Sequence, residues 1–223
     1  MKPNRTFYRR NLPHIQLVGA TFFVTFRLYG SIPKNVLYQM KSEYLEAIAQ
    51  YQAGSLPDEE RNALIYNERK RYFGKYDRFL DKLSNGPYHL QKSPVAETVA
   101  ATLHRFDGEF YTLLAYCIMP NHVHILIDTA KQIEELSLGH DPELGQYVQL
   151  ETIMKRIKGP TAVECNRILH LSGRFWQREH YDHYVRNEKE QQNILTYIVD
   201  NPVKAGFVEM AEDWPYSFVA STP

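Results

Sequence analysis

The sequence predicts an α+β fold, an antiparallel β-sheet with helices on one face, plus a helical insertion. Three observations predict it. Short runs rich in β-branched and aromatic residues recur between turn residues and read as strands. Other stretches repeat their apolar residues every three or four positions and read as helices. The two kinds follow one another as strand, helix, strand, strand, helix, strand, helix. The first six of these make the β-α-β-β-α-β order of a ferredoxin-like sheet.

Thr21–Leu28 (TFFVTFRL) is the first strand, stopped at Gly30-Ser-Ile-Pro33. Residues 34–84 are helical in two pieces broken at Gly54–Pro57, with apolar positions such as Leu45, Ile48 and Ala49. This charged, tyrosine-rich region is the insertion within a single domain of residues 1–223. Asn85-Gly-Pro87 makes a turn. Ser93 as N-cap and Pro94 at the first helical position open a helix that runs to about Arg105. Asp107-Gly108 is a tight turn, Phe110–Met119 a strand, Pro120-Asn121 a turn, and His122–Asp128 the next strand. Residues 129–146 read as a loop, and Val148–Leu169 as a helix dented at Gly159-Pro160. Phe175–Tyr184 is strand-like, and Glu188–Asp200 is a helix ended by Asn201-Pro202. An aromatic tail with Trp214-Pro-Tyr216 follows.

Composition narrows the function. Apolar residues make up 43% and aromatics 13%, enough for a core. Lys+Arg and Asp+Glu are both 26, so bulk charge does not coat nucleic acid. The charges are segregated, however. Lys2, Arg5, Arg9 and Arg10 crowd the first ten residues. Lys155, Arg156, Lys158, Arg167, Arg174 and Arg178 face only Glu164 across 155–178. Acids gather at Glu134, Glu135, Asp141, Glu143 and Glu151. Such a chain can still turn a positive surface to phosphates, although solvated helix faces give the same pattern. Cys117 and Cys165 form no C-x-x-C pair, which argues against a disulfide framework or a zinc-thiolate site. The first residues carry no apolar signal core, and no run reaches the ~20 residues of a membrane span. The expected location is cytoplasmic, with nucleoid association while acting on DNA.

Chemistry concentrates in MPNHVHILI, Met119–Ile127. Side chains at i and i+2 of a strand leave the same face, so His122 and His124 converge as the start of a metal site. A histidine satisfied in a core gives the same pattern. Further ligands must come from elsewhere, and the last helix, QQNILTYIVDNP, offers them. Ile194, Leu195, Ile198 and Val199 form its apolar stripe, with Tyr197 and Asn201 one turn apart at the stripe's edge. There a phenol nucleophile and an amide oxygen would meet an ion on the facing strand. Glu190, on the same face, and Asp200 are rival ligands. Tyr197 is one of 16 tyrosines, and packing is the usual role of such a residue. Asn201 before proline also reads as a cap.

That constellation suits transesterification of a phosphodiester. A tyrosine oxygen attacks phosphorus, displaces the 3′ oxygen, and remains as a 5′-phosphotyrosine. A divalent ion offsets the poor nucleophilicity of a phenol by neutralising charge on the phosphate. N/O ligation of this kind suits Mg²⁺ or Mn²⁺.

His-hydrophobic-His within MPNHVHILI, then FWQREHYDH, then YIVDNPVKAGFV, resemble the motifs of REP-associated tyrosine transposases, members of the single-tyrosine HUH-type transposases and nucleases. RRNLPHIQLVGATFFVTFRL and SPVAETVAATLHRFDGEFYTLLAY are also similar to that family. The resemblance covers most of the chain outside 34–84. It implies a ferredoxin-like domain that cleaves and rejoins single-stranded DNA at hairpin-marked, REP-like sites. It implies His122 and His124 as metal ligands, Tyr197 as nucleophile, and Asn201 in the place of the third ligand, a glutamine in some relatives. It further implies Lys155, Lys158, Arg174 and Arg178 as DNA contacts, and a monomer or homodimer. The departure from the family is the long segment 34–84. Two other readings are a catalytically silent module that binds single-stranded nucleic acid through its sheet and aromatics, and a hydrolase that activates water at the histidine pair. His180 and His183 are candidate general bases.

Overall fold

The structure, a computed structural model, describes residues 5–9, 13–82, 86–133 and 147–221. Lys2, Arg10, Asn85 and the acids Glu134, Glu135, Asp141 and Glu143 lie outside the described residues. The chain divides into two compact units, one made of the residues up to Tyr29 together with Tyr88 onward, the other Gly30–Pro87.

The first unit begins with a hairpin that the sequence did not announce, β1 (Arg5–Arg9) paired antiparallel with β2 (Pro13–Leu17). Its main sheet has five strands: β3 (Thr21–Arg27), β4 (Thr112–Ile118), β5 (His122–Asp128), β6 (Tyr181–Tyr184) and β7 (Ser217–Val219). They lie in the order β6-β3-β5-β4-β7, every neighbouring pair antiparallel. The helix α3 (Ser93–Arg105) precedes β4, and α4 (Leu150–Leu169) precedes β6. Strands β3, β4, β5 and β6 with these helices carry the ferredoxin-like order.

Pleating divides the sheet between two tasks. Phe22, Val24 and Phe26 of β3, and Val123, Ile125 and Ile127 of β5, join Val95, Val99 and Leu103 of α3 and Ile153, Met154 and Ile157 of α4 in one buried cluster. A bulge between Leu113 and Ala115 keeps Leu113, Tyr116 and Ile118 on this same face. The other face carries Phe23, Thr25, His122 and His124, and receives the last helix, α5 (Glu188–Lys204). The two ferredoxin-like helices thus share one face as expected, and α5 covers the reverse.

Four local expectations are corrected. α5 does not stop at Asp200 but runs through Asn201-Pro202 to Lys204, because both residues are buried and tertiary packing outweighs the proline penalty. α4 likewise passes Pro160 unbroken. Ser93 is the first residue of α3 rather than its cap, which is Lys92, and its hydroxyl instead accepts from Tyr216 at 2.7 Å. The aromatic tail contributes β7, which pairs with β4. Phe175–Tyr184 is strand-like at both ends: Leu28 bridges Trp176, Gln177 N–H donates to the Arg27 carbonyl, and β6 begins at Tyr181.

The second unit is a helical hairpin of α1 (Lys34–Ala53) and α2 (Asp58–Asp81), broken where Gly54–Pro57 predicts. Tyr44 packs on Tyr72, and Tyr72 on Tyr76, with ring centroids 5.1 and 6.3 Å apart. Ile32, Tyr76 and Leu80 form its small core. Gly86, near the end of this unit, has φ +116°, and a Cβ there would meet the Ser31 Cα at 2.8 Å. Both the backbone conformation and the close approach require glycine. Gly86→Ala is expected to lower stability by about 2 kcal/mol or more, read by urea denaturation.

Candidate active site

His122 and His124 occupy the centre of the sheet, flanked by β3 and β4, and both are fully buried. Strand alternation sends them to one face, where their Nε2 atoms lie 3.0 Å apart. Each ring is held from behind through Nδ1. His122 Nδ1 sits 2.6 Å from Asn121 Oδ1, and His124 Nδ1 sits 2.7 Å from Thr25 Oγ1, its cross-strand neighbour. Burial pushes the His122 pKa down to about 3. Burial, then the neighbouring His122, push that of His124 well below the usual range. Both imidazoles are therefore neutral near pH 7, the form that ligates metal.

α5 brings the other candidates over this pair. Asn187 caps the helix by accepting from Glu190 N–H at 2.9 Å, and the Glu190 carboxylate accepts in turn from Arg186 N–H at 3.0 Å. The second Glu190 oxygen lies 3.1 Å from His183 Nε2 on β6. Two turns on, the Tyr197 ring packs edge-on against His124 at 5.4 Å and Phe23 at 5.9 Å, with Lys204 Nζ over it at 5.4 Å. One turn further, Asn201 Nδ2 lies 3.3 Å from His124 Nε2. Tyr197, Asn201, His122 and His124 are thus brought together on one face. Of the rival ligands, Glu190 is engaged by the helix cap and His183, and Asp200 pairs with Lys204 at 3.6 Å. His180 Nε2 lies 3.8 Å from Asp182 Oδ1.

The residues fit a metal ion. Two imidazole nitrogens 3.0 Å apart can occupy adjacent corners of one coordination shell. Asn201 Oδ1 is buried without a hydrogen-bond partner, a condition that costs about 1–3 kcal/mol. A half-turn of the amide carries that oxygen to where the nitrogen now faces His124. Neutral imidazole nitrogens and an amide oxygen are lone-pair donors of the kind that hold a divalent ion.

Lys155, Lys158, Arg174 and Arg178 line one groove of about 460 Å³ between α4 and the segment leading to β6, floored by Met154, Phe175 and Trp176. Lys155, Arg174 and Arg178 are exposed. Lys158 differs, because its ammonium donates to the carbonyls of Gln177 (2.6 Å) and Arg178 (2.9 Å) and so shapes the groove. Thr25 and Asn121 join the site without a signal of their own in the sequence. Asn121 adjoins His122 but has the sequence signature of a turn residue before a strand. Thr25 is marked by nothing except the strand register.

No family model matches the sequence. A Haemophilus influenzae protein provisionally named REP-associated tyrosine transposase is 31% identical over 107 residues, 48% of this chain and 58% of its own length. The REP-associated tyrosine transposase of Escherichia coli K12 is 43% identical over 42 residues, 19% of this chain and 26% of its own. A further Haemophilus influenzae protein without assigned function is 28% identical over 95 residues, 40% of this chain and 52% of its own. The matches span less than two thirds of each relative. A solved structure of a REP-associated tyrosine transposase bound to a REP hairpin is similar over 94% of this chain and 80% of its own, with a TM-score of 0.48 and 17% identity. Among the described residues, no helix is long and apolar enough to cross a membrane. This chain is thus similar in sequence, over part of their length, to proteins named REP-associated tyrosine transposases.

Proposed function

We propose that this chain is a metal-dependent single-stranded DNA endonuclease and strand transferase that acts at hairpin-marked, REP-like sites through a 5′-phosphotyrosine. One observation carries the reading: Tyr197 and Asn201, from a helix near the C-terminus, lie against the buried pair His122 and His124. His122, His124 and Asn201 would hold Mg²⁺ or Mn²⁺. Bound there, the ion would neutralise charge on the scissile phosphate and orient it. Tyr197 supplies the nucleophile. Its oxygen bonds to phosphorus, the bond from phosphorus to the 3′ oxygen breaks, the phenolic proton passes to solvent, and the departing 3′ oxygen takes a proton. The energy of the broken bond stays in the phosphotyrosine, so the reverse step joins the strand to a 3′ hydroxyl. The packing of Tyr197 on Phe23 and His124 limits its ring to a narrow range of approach.

The groove lined by Lys155, Lys158, Arg174 and Arg178 serves the DNA backbone, in monomer or homodimer. Arg174→Ala and Arg178→Ala are each expected to weaken single-strand binding across sequences and to reduce the slope of log K against log salt by about 0.7–1. Fluorescence anisotropy titrations at several salt concentrations measure this. Lys158→Ala is expected to disturb the 177–178 backbone as well, because its ammonium bonds both carbonyls.

The reading is tested with hairpin-bearing single-stranded DNA labelled on the 3′ side of the cut. With Mn²⁺ or Mg²⁺ the label is expected to move onto the protein and survive denaturation, and a chelator is expected to prevent it. Cleavage that leaves a 5′ phosphate and no adduct would show water, not tyrosine, as the attacking group. DNA bound intact would favour the silent binding module.

A further inference from the structure

We propose that the groove between α4 and the segment leading to β6 holds one unpaired nucleobase of the single strand, with the Gln177 side-chain amide on the polar edge of the base and Gly159 leaving room for its face. This rests on the reading above that the chain acts on single-stranded DNA.

The groove is not uniformly basic. Lys155, Arg174 and Arg178 are exposed where they line it and carry the charge that phosphates need. Other parts of its wall differ. The Lys158 ammonium donates to the carbonyls of Gln177 and Arg178 at 2.6 and 2.9 Å. The Trp176 indole N–H donates to Thr161 Oγ1 at 2.9 Å, which fixes the ring. Met154, Ala162 and Phe175 add apolar wall. A phosphate gains nothing from such a surface, whereas the face of a base does. The volume of about 460 Å³ lies within the ~300–1,000 Å³ of small-ligand pockets.

Two groove residues fit a base in particular. The Gln177 backbone is engaged on both sides, donating to the Arg27 carbonyl at 2.9 Å and accepting from Lys158. Its side-chain amide, half-buried in the groove wall, makes no hydrogen bond to any described residue. An amide offers a donor and an acceptor side by side, which the edge of a base matches. A phosphodiester, with acceptors only, does not. Gly159 sits in the interior of α4, where glycine is unfavourable relative to alanine. A Cβ there would meet no atom of the rest of the protein within 4 Å, so packing does not demand glycine. Nor does Pro160, since Asn201 precedes Pro202 inside α5 and carries a Cβ in the same relation. Because Gly159 lines the groove, a side chain at this position would take up space in it. Glycine instead lets a flat ligand come close to the helix backbone.

The test uses the full chain and hairpin-bearing single-stranded DNA in which each unpaired nucleotide in turn is made abasic. Fluorescence anisotropy reads the affinity. Wild-type affinity is expected to fall about 5–150-fold at one such position. There the penalty is expected to shrink about fivefold or more in Gln177→Ala, and to vanish in Gly159→Leu, whose side chain fills the groove. Gly159→Leu is also expected to bind the unmodified strand as weakly as wild type binds the abasic one. Abasic replacement tolerated at every unpaired position, or a penalty left unchanged by Gln177→Ala or by folded Gly159→Leu, would overturn the base site and leave the DNA reading standing. Wild type that binds no hairpin-bearing strand would overturn both. Gln177→Ala removes an amide without a hydrogen-bond partner, so it decides the matter even where Gly159→Leu fails to fold.

Discussion

We expect Tyr197→Phe to abolish the covalent protein–DNA adduct and to lower strand cleavage by at least about a thousandfold, with metal and hairpin-DNA affinities within a few-fold of wild type. The substitution removes one oxygen and leaves the ring. The edge-on contacts with Phe23 and His124 are made by the ring, so the docking of α5 on the sheet is retained. Nothing else in the described site offers a comparable nucleophile beside the histidine pair. Quantitative cleavage assays on end-labelled hairpin DNA, paired with calorimetric Mn²⁺ titration, separate lost chemistry from lost binding. Cleavage that survives in the phenylalanine variant would point to water activated at the histidines.

The second large effect is expected from His124→Ala. His124 lies 3.0 Å from His122, 2.7 Å from Thr25 and 3.3 Å from Asn201. Its loss removes a ligand and leaves the two remaining candidates without the group between them. Mn²⁺ affinity is expected to fall by more than the roughly 100-fold upper effect of an outer-shell change, and cleavage to fall with it. Thermal unfolding gives an independent reading. An ion at about a hundred times its Kd stabilises the folded state by about 2.7 kcal/mol, which is roughly 5–10 °C in a domain of this size. Wild-type Tm is expected to rise on that scale with Mn²⁺, and the Tm of His124→Ala to stay where it is. A rise in both would place the ion elsewhere.

Part of this site was legible in the sequence because it obeys local periodicity. The period of two along β5 alone puts His122 and His124 on one face. The spacing of four along α5 alone puts Tyr197 and Asn201 together. The limits of β5 and the break between α1 and α2 likewise follow from Pro120-Asn121 and Gly54–Pro57.

What was not legible depends on residues far apart in the chain. Thr25 looks like any β-branched strand residue until the β3–β5 register sets it across from His124, 99 positions away. β7 is three residues long and exists through its pairing with β4. α5 continues past Pro202 because Asn201 and Pro202 are buried, a tertiary gain that no local proline rule contains. Glu190 read as a ligand on helical spacing alone, but the capping geometry at Asn187 and the approach of His183 engage it instead.

The proposed chemistry depends on the joining of Tyr197 to the 5′ side of a cut DNA strand. The most direct measurement is mass spectrometry of protease-digested adduct formed with hairpin-bearing single-stranded DNA and Mn²⁺. The peptide containing Tyr197, and no other, is expected to carry a nucleotide phosphate. A modification at a different tyrosine, or a cut strand with every peptide of the protein unmodified, would contradict it.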